Sequence, residues 1–126
     1  MKGRKPGTLP ADPLALTRVP PAPRHLAPLA KLEWRTVLPS LVEAGTVRQS
    51  DLSLLATYCA MIAIAAEGAS DHAAKTLDAA GFRRMNQAAT TARQIAAEFG
   101  LTPVARTRAG LTASGEEDAG DDPLAV

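Results

Sequence analysis

The sequence is poor in the residues that build sheets, disulfides and membrane spans. Aromatic residues make up 3% of its 126 residues, and few residues are β-branched, which disfavours a sheet. Cys59 is the single cysteine, which excludes an intramolecular disulfide and fits a reducing compartment. The longest uncharged run, Leu52 to Ala66, is too short to span a bilayer. No targeting segment is visible, so we expect a cytoplasmic protein without a membrane span.

Alanine is abundant and accounts for 26 residues within a hydrophobic content of 46%. A core built on alanine suits closely packed helices and buries little area per residue. Most prolines and glycines lie towards the two ends, and the middle of about 75 residues would be marginal on burial alone. The composition therefore predicts an all-α bundle of about three helices per protomer that gains stability by self-association.

The first helix is predicted from Ala27 to Glu43. Its apolar residues recur with helical spacing, and Gly45 follows as a left-handed cap. Pro39 lies inside the pattern and should kink the helix. Leu29 and Leu32 point away from the apolar side, so they are either ordinary exposed residues or a contact with a neighbouring subunit.

A second and a third helix are predicted to form a tight hairpin. The second should begin near Ser50 or Asp51 and end by Gly81, and the third should run from Phe82 to Phe99 with Gly100 as its cap. The second is apolar nearly all round, which indicates burial against other subunits. The predicted oligomerisation residues are Leu29, Leu32, Leu55, Tyr58, Ile62 and Ile64.

Charge is distributed unevenly along the chain. Residues 1–35 carry a net charge of +5, and residues 101–126 carry −3. Three regions follow: a basic, proline-rich flexible arm at 1–24, a helical core at 25–111, and a disordered acidic tail at 112–126. Such charged ends either contact a polyanion at one end or merely keep a small domain soluble.

Catalytic chemistry is not indicated. His25 and His72 lie far apart without a Cys or carboxylate at metal-ligand spacing, and Cys59 lies in the most apolar helix, where thiols are inert. We expect no enzyme activity, metal or cofactor. Basic side chains instead indicate salt-dependent binding to DNA phosphates. The predicted DNA-binding residues are Lys2, Arg4, Lys5, Arg24, Lys31, Arg35, Arg106 and Arg108.

Three segments resemble a family of tailed-phage terminase small subunits. They are the opening MKGRKP, residues 26–59 and residues 86–108. The second segment carries Ala30, Trp34, Pro39, Leu41, Gly45, Asp51, Tyr58 and Cys59. The third carries Phe99, Gly100, Leu101, Thr102 and Pro103, followed by Arg106 and Arg108. Family members usually have a longer insertion between the second and third helices, whereas this chain has only Gly68 to Gly81.

The resemblance implies a non-catalytic component of viral DNA packaging in the host cytoplasm. Such small subunits recognise the packaging start on double-stranded viral DNA and assemble into homo-oligomeric rings. They deliver DNA to the large terminase subunit, which holds the ATPase and the nuclease, and modulate its activity. No membrane partner is implied.

Two other classes of function stay open on the residues alone. The first is a small helical phage or bacterial DNA-binding transcription regulator, with the first two helices as a helix-turn-helix. The turn after Gly45 is long for that motif, and the second helix is too apolar for a major groove. The second class is a protein-interaction module that uses the acidic tail and makes no DNA contact.

Overall fold

The computed structural model describes residues 12–102, which fold into three α-helices. These are Pro28–Ala44 (α1), Leu52–Ala73 (α2) and Ala79–Glu98 (α3), and a 3-10 turn at Gln49–Asp51 precedes α2. Within residues 12–102 there is no strand, and the β-type pairing is an isolated bridge between Ala15 and Arg48. The prediction of an all-α bundle of about three helices is confirmed.

Both ends of α1 follow from local chemistry. Pro28 occupies the first turn, where its missing N–H costs no hydrogen bond. Gly45 ends the helix in the left-handed conformation, with φ at 71°, and donates its N–H to the carbonyls of Leu41 and Val42. The cap is therefore confirmed, and the helix continues through Pro39. The expected kink at Pro39 stays a prediction.

The start of α2 is a two-step structure. The 3-10 turn comes first, and there the backbone N–H of Arg48 donates to the Asp51 carboxylate at 2.9 Å. The Asp51 side chain thus stabilises the 3-10 turn. It makes no capping hydrogen bond to the first turn of α2. The helix ends at Ala73, well before Gly81, and Lys75 follows with φ at 62°.

Helix α3 begins three residues earlier than predicted, because Asp78 caps it. The Asp78 carboxylate accepts a hydrogen bond from the N–H of Gly81 at 2.7 Å, which satisfies a donor that the helix itself leaves unpaired. The connection between α2 and α3 is therefore short, and the predicted tight hairpin is observed. Gly100 follows α3 with φ at 70°, as a left-handed cap requires.

The core forms around α2, which contacts both α1 and α3. Trp34 and Leu38 from α1, Leu55 and Cys59 from α2, and Val47 from the connecting loop are its largest fully buried side chains. From α3 come Ala92, Ile95 and Ala96. Large side chains thus join α1 to α2, whereas mostly small ones join α2 to α3.

Residues 12–24, here called the strap, pack against the core. The N–H of Leu16 donates to the Val47 carbonyl at 2.8 Å, and the Trp34 indole Nε1 donates to the Pro20 carbonyl at 2.9 Å. Leu16 and Ala22 contact the core cluster. Residues 12–24 of the arm predicted as flexible thus pack on the core, because a buried indole N–H needs an acceptor and the proline-rich backbone supplies one. Residues 1–11 of that arm lie outside the described residues.

Candidate nucleic-acid interface

The predicted DNA-binding residues fall into two groups. Arg24 is exposed just before α1, Arg35 is exposed on α1, and Lys31 is half-buried one turn before Arg35. These three side chains put positive charge on the strap end and one edge of α1. The other five predictions lie outside the described residues: Lys2, Arg4, Lys5, Arg106 and Arg108.

The strap also carries an ion pair that sequence reasoning missed. Arg48 Nε lies 2.8 Å from Asp12 Oδ2, and its Nη2 lies 3.2 Å from Asp12 Oδ1. The Arg48 hydrogen bond is the main cause that lowers the pKa of Asp12, and the N–H of Leu14 adds to it. The same pairing raises the pKa of Arg48. A carboxylate therefore compensates Arg48, which leaves it a poorer phosphate ligand than Arg24 or Arg35.

The predicted oligomerisation residues divide by burial. Leu29 and Leu32 are 42% and 54% exposed on the outer side of α1, as the helical pattern predicted. Ile62 and Ile64 are half-buried on α2. These four side chains are accessible to a second subunit.

Leu55 and Tyr58 were also predicted to contact a second subunit, but the structure places them in the interior. They are 0% and 7% exposed and belong to the core of a single protomer. The expectation assumed that a lone protomer could not cover α2. It failed to foresee the strap and Val47, which join α1 in closing the core.

Burial and the neighbouring Glu33 raise the pKa values of Tyr58 and Cys59. The Tyr58 hydroxyl donates to Glu33 Oε2 at 2.7 Å, and burial together with this contact raises the pKa of Tyr58. Burial, with a smaller effect from Glu33, raises the pKa of Cys59 to about 12. A thiol held protonated is a weak nucleophile, which fits a packing role for Cys59.

Among residues 12–102, neither histidine belongs to a candidate metal centre. His25 and His72 are both exposed. Within residues 12–102 no group of three or more His, Cys, Asp or Glu side chains could hold a metal ion.

The stretch Gln49–Ala73 is long and apolar enough to cross a membrane by length and composition alone. It is longer than the uncharged run Leu52–Ala66 on which the sequence-based expectation rested. Core helices of soluble proteins pass the same test. Here Leu55, Ala56 and Cys59 of this stretch are core residues, so packing within the protomer accounts for part of its apolar character.

The outward face of α3 was not among the predicted sites. Its exposed or half-buried polar side chains are Asn86, Gln87, Thr90, Thr91 and Gln94, and together they line a shallow open groove. The sequence did hold a signal: no acidic residue occurs between Asp78 and Glu98. A search for charge clusters passes over this face, because uncharged polar side chains make up most of it.

The family model for the phage terminase small subunit matches residues 30–116. The match covers all of α2 and α3 and all but the first two residues of α1, which is more than half of the chain. The chain therefore belongs to the family of phage terminase small subunits, and viral DNA packaging is the process that this family serves. No curated protein and no solved structure shows significant similarity to it.

Proposed function

We propose that this protein is the non-catalytic, DNA-binding subunit of a phage packaging terminase and acts in the host cytoplasm. It would recognise double-stranded viral DNA at the packaging start and present it to the large subunit. The family match over residues 30–116 carries the proposal. It also favours this function over the transcription regulator and the interaction module, because neither class accounts for the match.

Exposed positive charge supplies the affinity in this proposal. Arg24, Lys31 and Arg35 lie on the strap end and on α1, where they can neutralise phosphates and release counterions. Lys2, Arg4 and Lys5 precede the strap in the sequence, and Arg106 and Arg108 follow α3. We assign all eight side chains to phosphate contact.

The salt dependence of duplex binding tests this assignment. Replacing Lys31 and Arg35 with Ala should reduce the slope of log affinity against log salt by about two. Deleting residues 1–8 should reduce it by about two to three. Lys75→Asn is the matched control, since Lys75 is an exposed cation at the far turn of the hairpin and Asn tolerates its positive φ. An unchanged slope in both variants would remove these residues from the interface.

Self-association is the second part of the proposal. The apolar outer side of α1, with Leu29 and Leu32, and the half-buried Ile62 and Ile64 of α2 offer surface that a second copy can cover. We propose that copies of the chain close into a homo-oligomeric ring through these residues.

Light scattering of the full chain distinguishes a ring from a protomer. Replacing Leu29 and Leu32 with Lys should lower the mass without lowering helix content, because both side chains are exposed. Leu14→Lys is the control, since Leu14 is exposed at 63% on the strap. A wild-type chain that is monomeric at high micromolar concentration contradicts ring assembly.

The large terminase subunit is the proposed protein partner, and the acidic segment 112–126 is the proposed contact. Glu116, Glu117 and Asp118 would repel DNA, so this segment suits a protein surface or a guard against non-specific DNA binding. Its removal should abolish stimulation of the large subunit's ATPase or strengthen non-specific DNA binding. If neither changes, the segment is dispensable.

A further inference from the structure

The outward face of α3 has an unusual composition for a solvated helix. The whole chain contains four amide side chains, Gln49, Asn86, Gln87 and Gln94, and three of them lie exposed on this face. Thr90 and Thr91 occupy positions between them. The face contains no lysine, and its acidic residue, Glu98, is the last residue of the helix. Ordinary surface helices instead carry Glu and Lys pairs at helical spacing.

These side chains form two rows along the helix. Asn86, Thr90 and Gln94 are spaced four residues apart and therefore share one row, and Gln87 and Thr91 form the neighbouring row. The Thr90 hydroxyl donates to the Asn86 carbonyl at 2.9 Å, which leaves its oxygen free to accept. The rows thus present amide donors, amide acceptors and hydroxyl oxygens to whatever lies against them.

Three arginines border these rows. Arg83 and Arg84 lie in the first turns of α3 and Arg93 lies near its end, and all three are exposed. In residues 12–102 the observed ion pair is that of Arg48 with Asp12, so no carboxylate in the described chain pairs with these guanidinium groups. By helical spacing Arg84 and Arg93 fall on opposite edges of the polar rows.

This arrangement matches what a duplex presents in its major groove. Asn and Gln can form paired hydrogen bonds with adenine, Thr can contact bases of several kinds, and Arg can bind guanine or phosphate. The groove is wide enough for an α-helix, and Arg83 to Gln94 spans about 16 Å along the helix axis. Guanidinium groups on both edges of the polar rows are suited to the phosphates on both sides of a groove.

A protein partner fits this face less well. The cores of protein interfaces are enriched in aromatic side chains, Met and Arg, and the two rows contain neither an aromatic side chain nor Met. Among large apolar side chains of α3, Phe82 is exposed at 52%, but it lies at the start of the helix, outside the two rows. The exposed Leu29 and Leu32 of α1 supply the apolar surface that α3 lacks.

We propose that α3 enters the major groove of duplex DNA and reads base edges through Asn86, Gln87, Thr90, Thr91 and Gln94, while Arg83, Arg84 and Arg93 hold the flanking phosphates. The inference rests on the proposed function, since it assumes that the protein binds DNA, and adds the element that selects the sequence. In this arrangement α1 and the basic segments supply affinity and α3 supplies discrimination.

The test separates discrimination from affinity. Full-length protein selects from a pool of duplexes with a randomised centre, and the enriched duplex is compared with a scrambled one over a range of salt concentrations. For Asn86→Ala with Gln94→Ala, we expect the affinity ratio of the two duplexes to fall by about tenfold to a hundredfold. The salt slope should stay unchanged, because no charge is removed. Arg83→Gln with Arg93→Gln should instead reduce the slope by about two on both duplexes.

Gln49→Ala is the matched control, because it removes an exposed amide that lies off α3. Full discrimination in the Asn86 and Gln94 variant overturns the inference. So does wild-type binding without any enrichment, although DNA binding itself then stands. A wild-type chain with no duplex affinity contradicts the proposed function as well. If the variant instead lowers the mass in light scattering, the face is a subunit contact and the inference is wrong.

Discussion

The two ends of α2 are packed by opposite means. At its start, Trp34 of α1 and Val47 of the loop fill the space against Leu55 and Cys59, and each is almost fully buried. Towards its end, Gly68 lies so close to Met85 of α3 that an added Cβ would come within 2.7 Å of the Met85 Cβ. Large buried side chains therefore stabilise the contact of α2 with α1 and the loop, which is the first, volume-packed seam. Close approach of the two helices characterises the contact of α2 with α3, which is the second, close-packed seam. Removing atoms should therefore damage the first seam, and adding atoms should damage the second.

Trp34→Ala is the strongest test of the volume-packed seam. The side chain is 1% exposed and its Nε1 donates to the Pro20 carbonyl, so truncation leaves a cavity and frees the strap. We expect the free energy of unfolding in urea to fall by about 3–5 kcal/mol. Trp34→Phe should lower the free energy of unfolding by less, because it loses the hydrogen bond but keeps an aromatic ring in the core. Equal losses would show that the hydrogen bond, and not volume, holds this seam.

Gly68→Ala tests the close-packed seam. Alanine favours a helix over glycine by about 1 kcal/mol, so an uncrowded site would gain stability. Here the added methyl meets the Met85 Cβ, which the backbone of α3 holds in place, and we expect a net loss of about 1–3 kcal/mol in urea unfolding.

Gly81→Ala is the matched comparison for Gly68→Ala. Its Cβ would approach the end of the Leu77 side chain at 2.8 Å and Asp78 Oδ1 at 3.0 Å. The Leu77 end can rotate away, and the Asp78 carboxylate needs to shift by only a few tenths of an ångström. The loss should therefore be smaller than at Gly68. A stabilised Gly68→Ala protein would contradict close packing between α2 and α3.

Alkaline pH should weaken the volume-packed seam through Cys59. Burial raises the pKa of its thiol to about 12 from 9.0. Between these values the unfolded chain loses the proton and the folded chain keeps it. Stability is therefore complete below pH 9 and falls as the pH rises towards 12. The slope of unfolding free energy against pH should be shallower in Cys59→Ala by up to about 1.4 kcal/mol per pH unit. Identical slopes would mean that the thiol reaches solvent.

Asp12→Asn should have the smallest effect, since it removes an exposed ion pair at the edge of the strap. Asp12 binds Arg48 at 2.8 Å, but salt screens exposed charges. We expect a small fall in melting temperature at low ionic strength that disappears at high salt. Arg18→Gln is the control, because Arg18 is an exposed strap cation that does not take part in this pair. A large loss at all salt concentrations would mean that the strap depends on this pair.

Local sequence signals predicted all three helices, but they placed only some of the helix ends correctly. Gly45 was predicted as a left-handed cap and Gly100 as a cap, and both have positive φ. The predicted start of α3 at Phe82 was wrong, because the capping capacity of Asp78 was overlooked. Of the candidate site, the exposed Leu29 and Leu32 followed from helical periodicity alone.

Which of these surfaces are available to partners depends on contacts between residues far apart in the chain. Trp34 meets Pro20 across 14 positions, and Arg48 meets Asp12 across 36. A helix pattern is set by hydrogen bonds and side chains within four residues, so it can be read from a short stretch. A proline-rich segment has no such period, and its place on the core depends on an indole N–H that needs an acceptor. For that reason the sequence indicated three helices and their outer faces, whereas the folded chain alone showed that the strap packs on the core and that Leu55 and Tyr58 are buried inside one protomer.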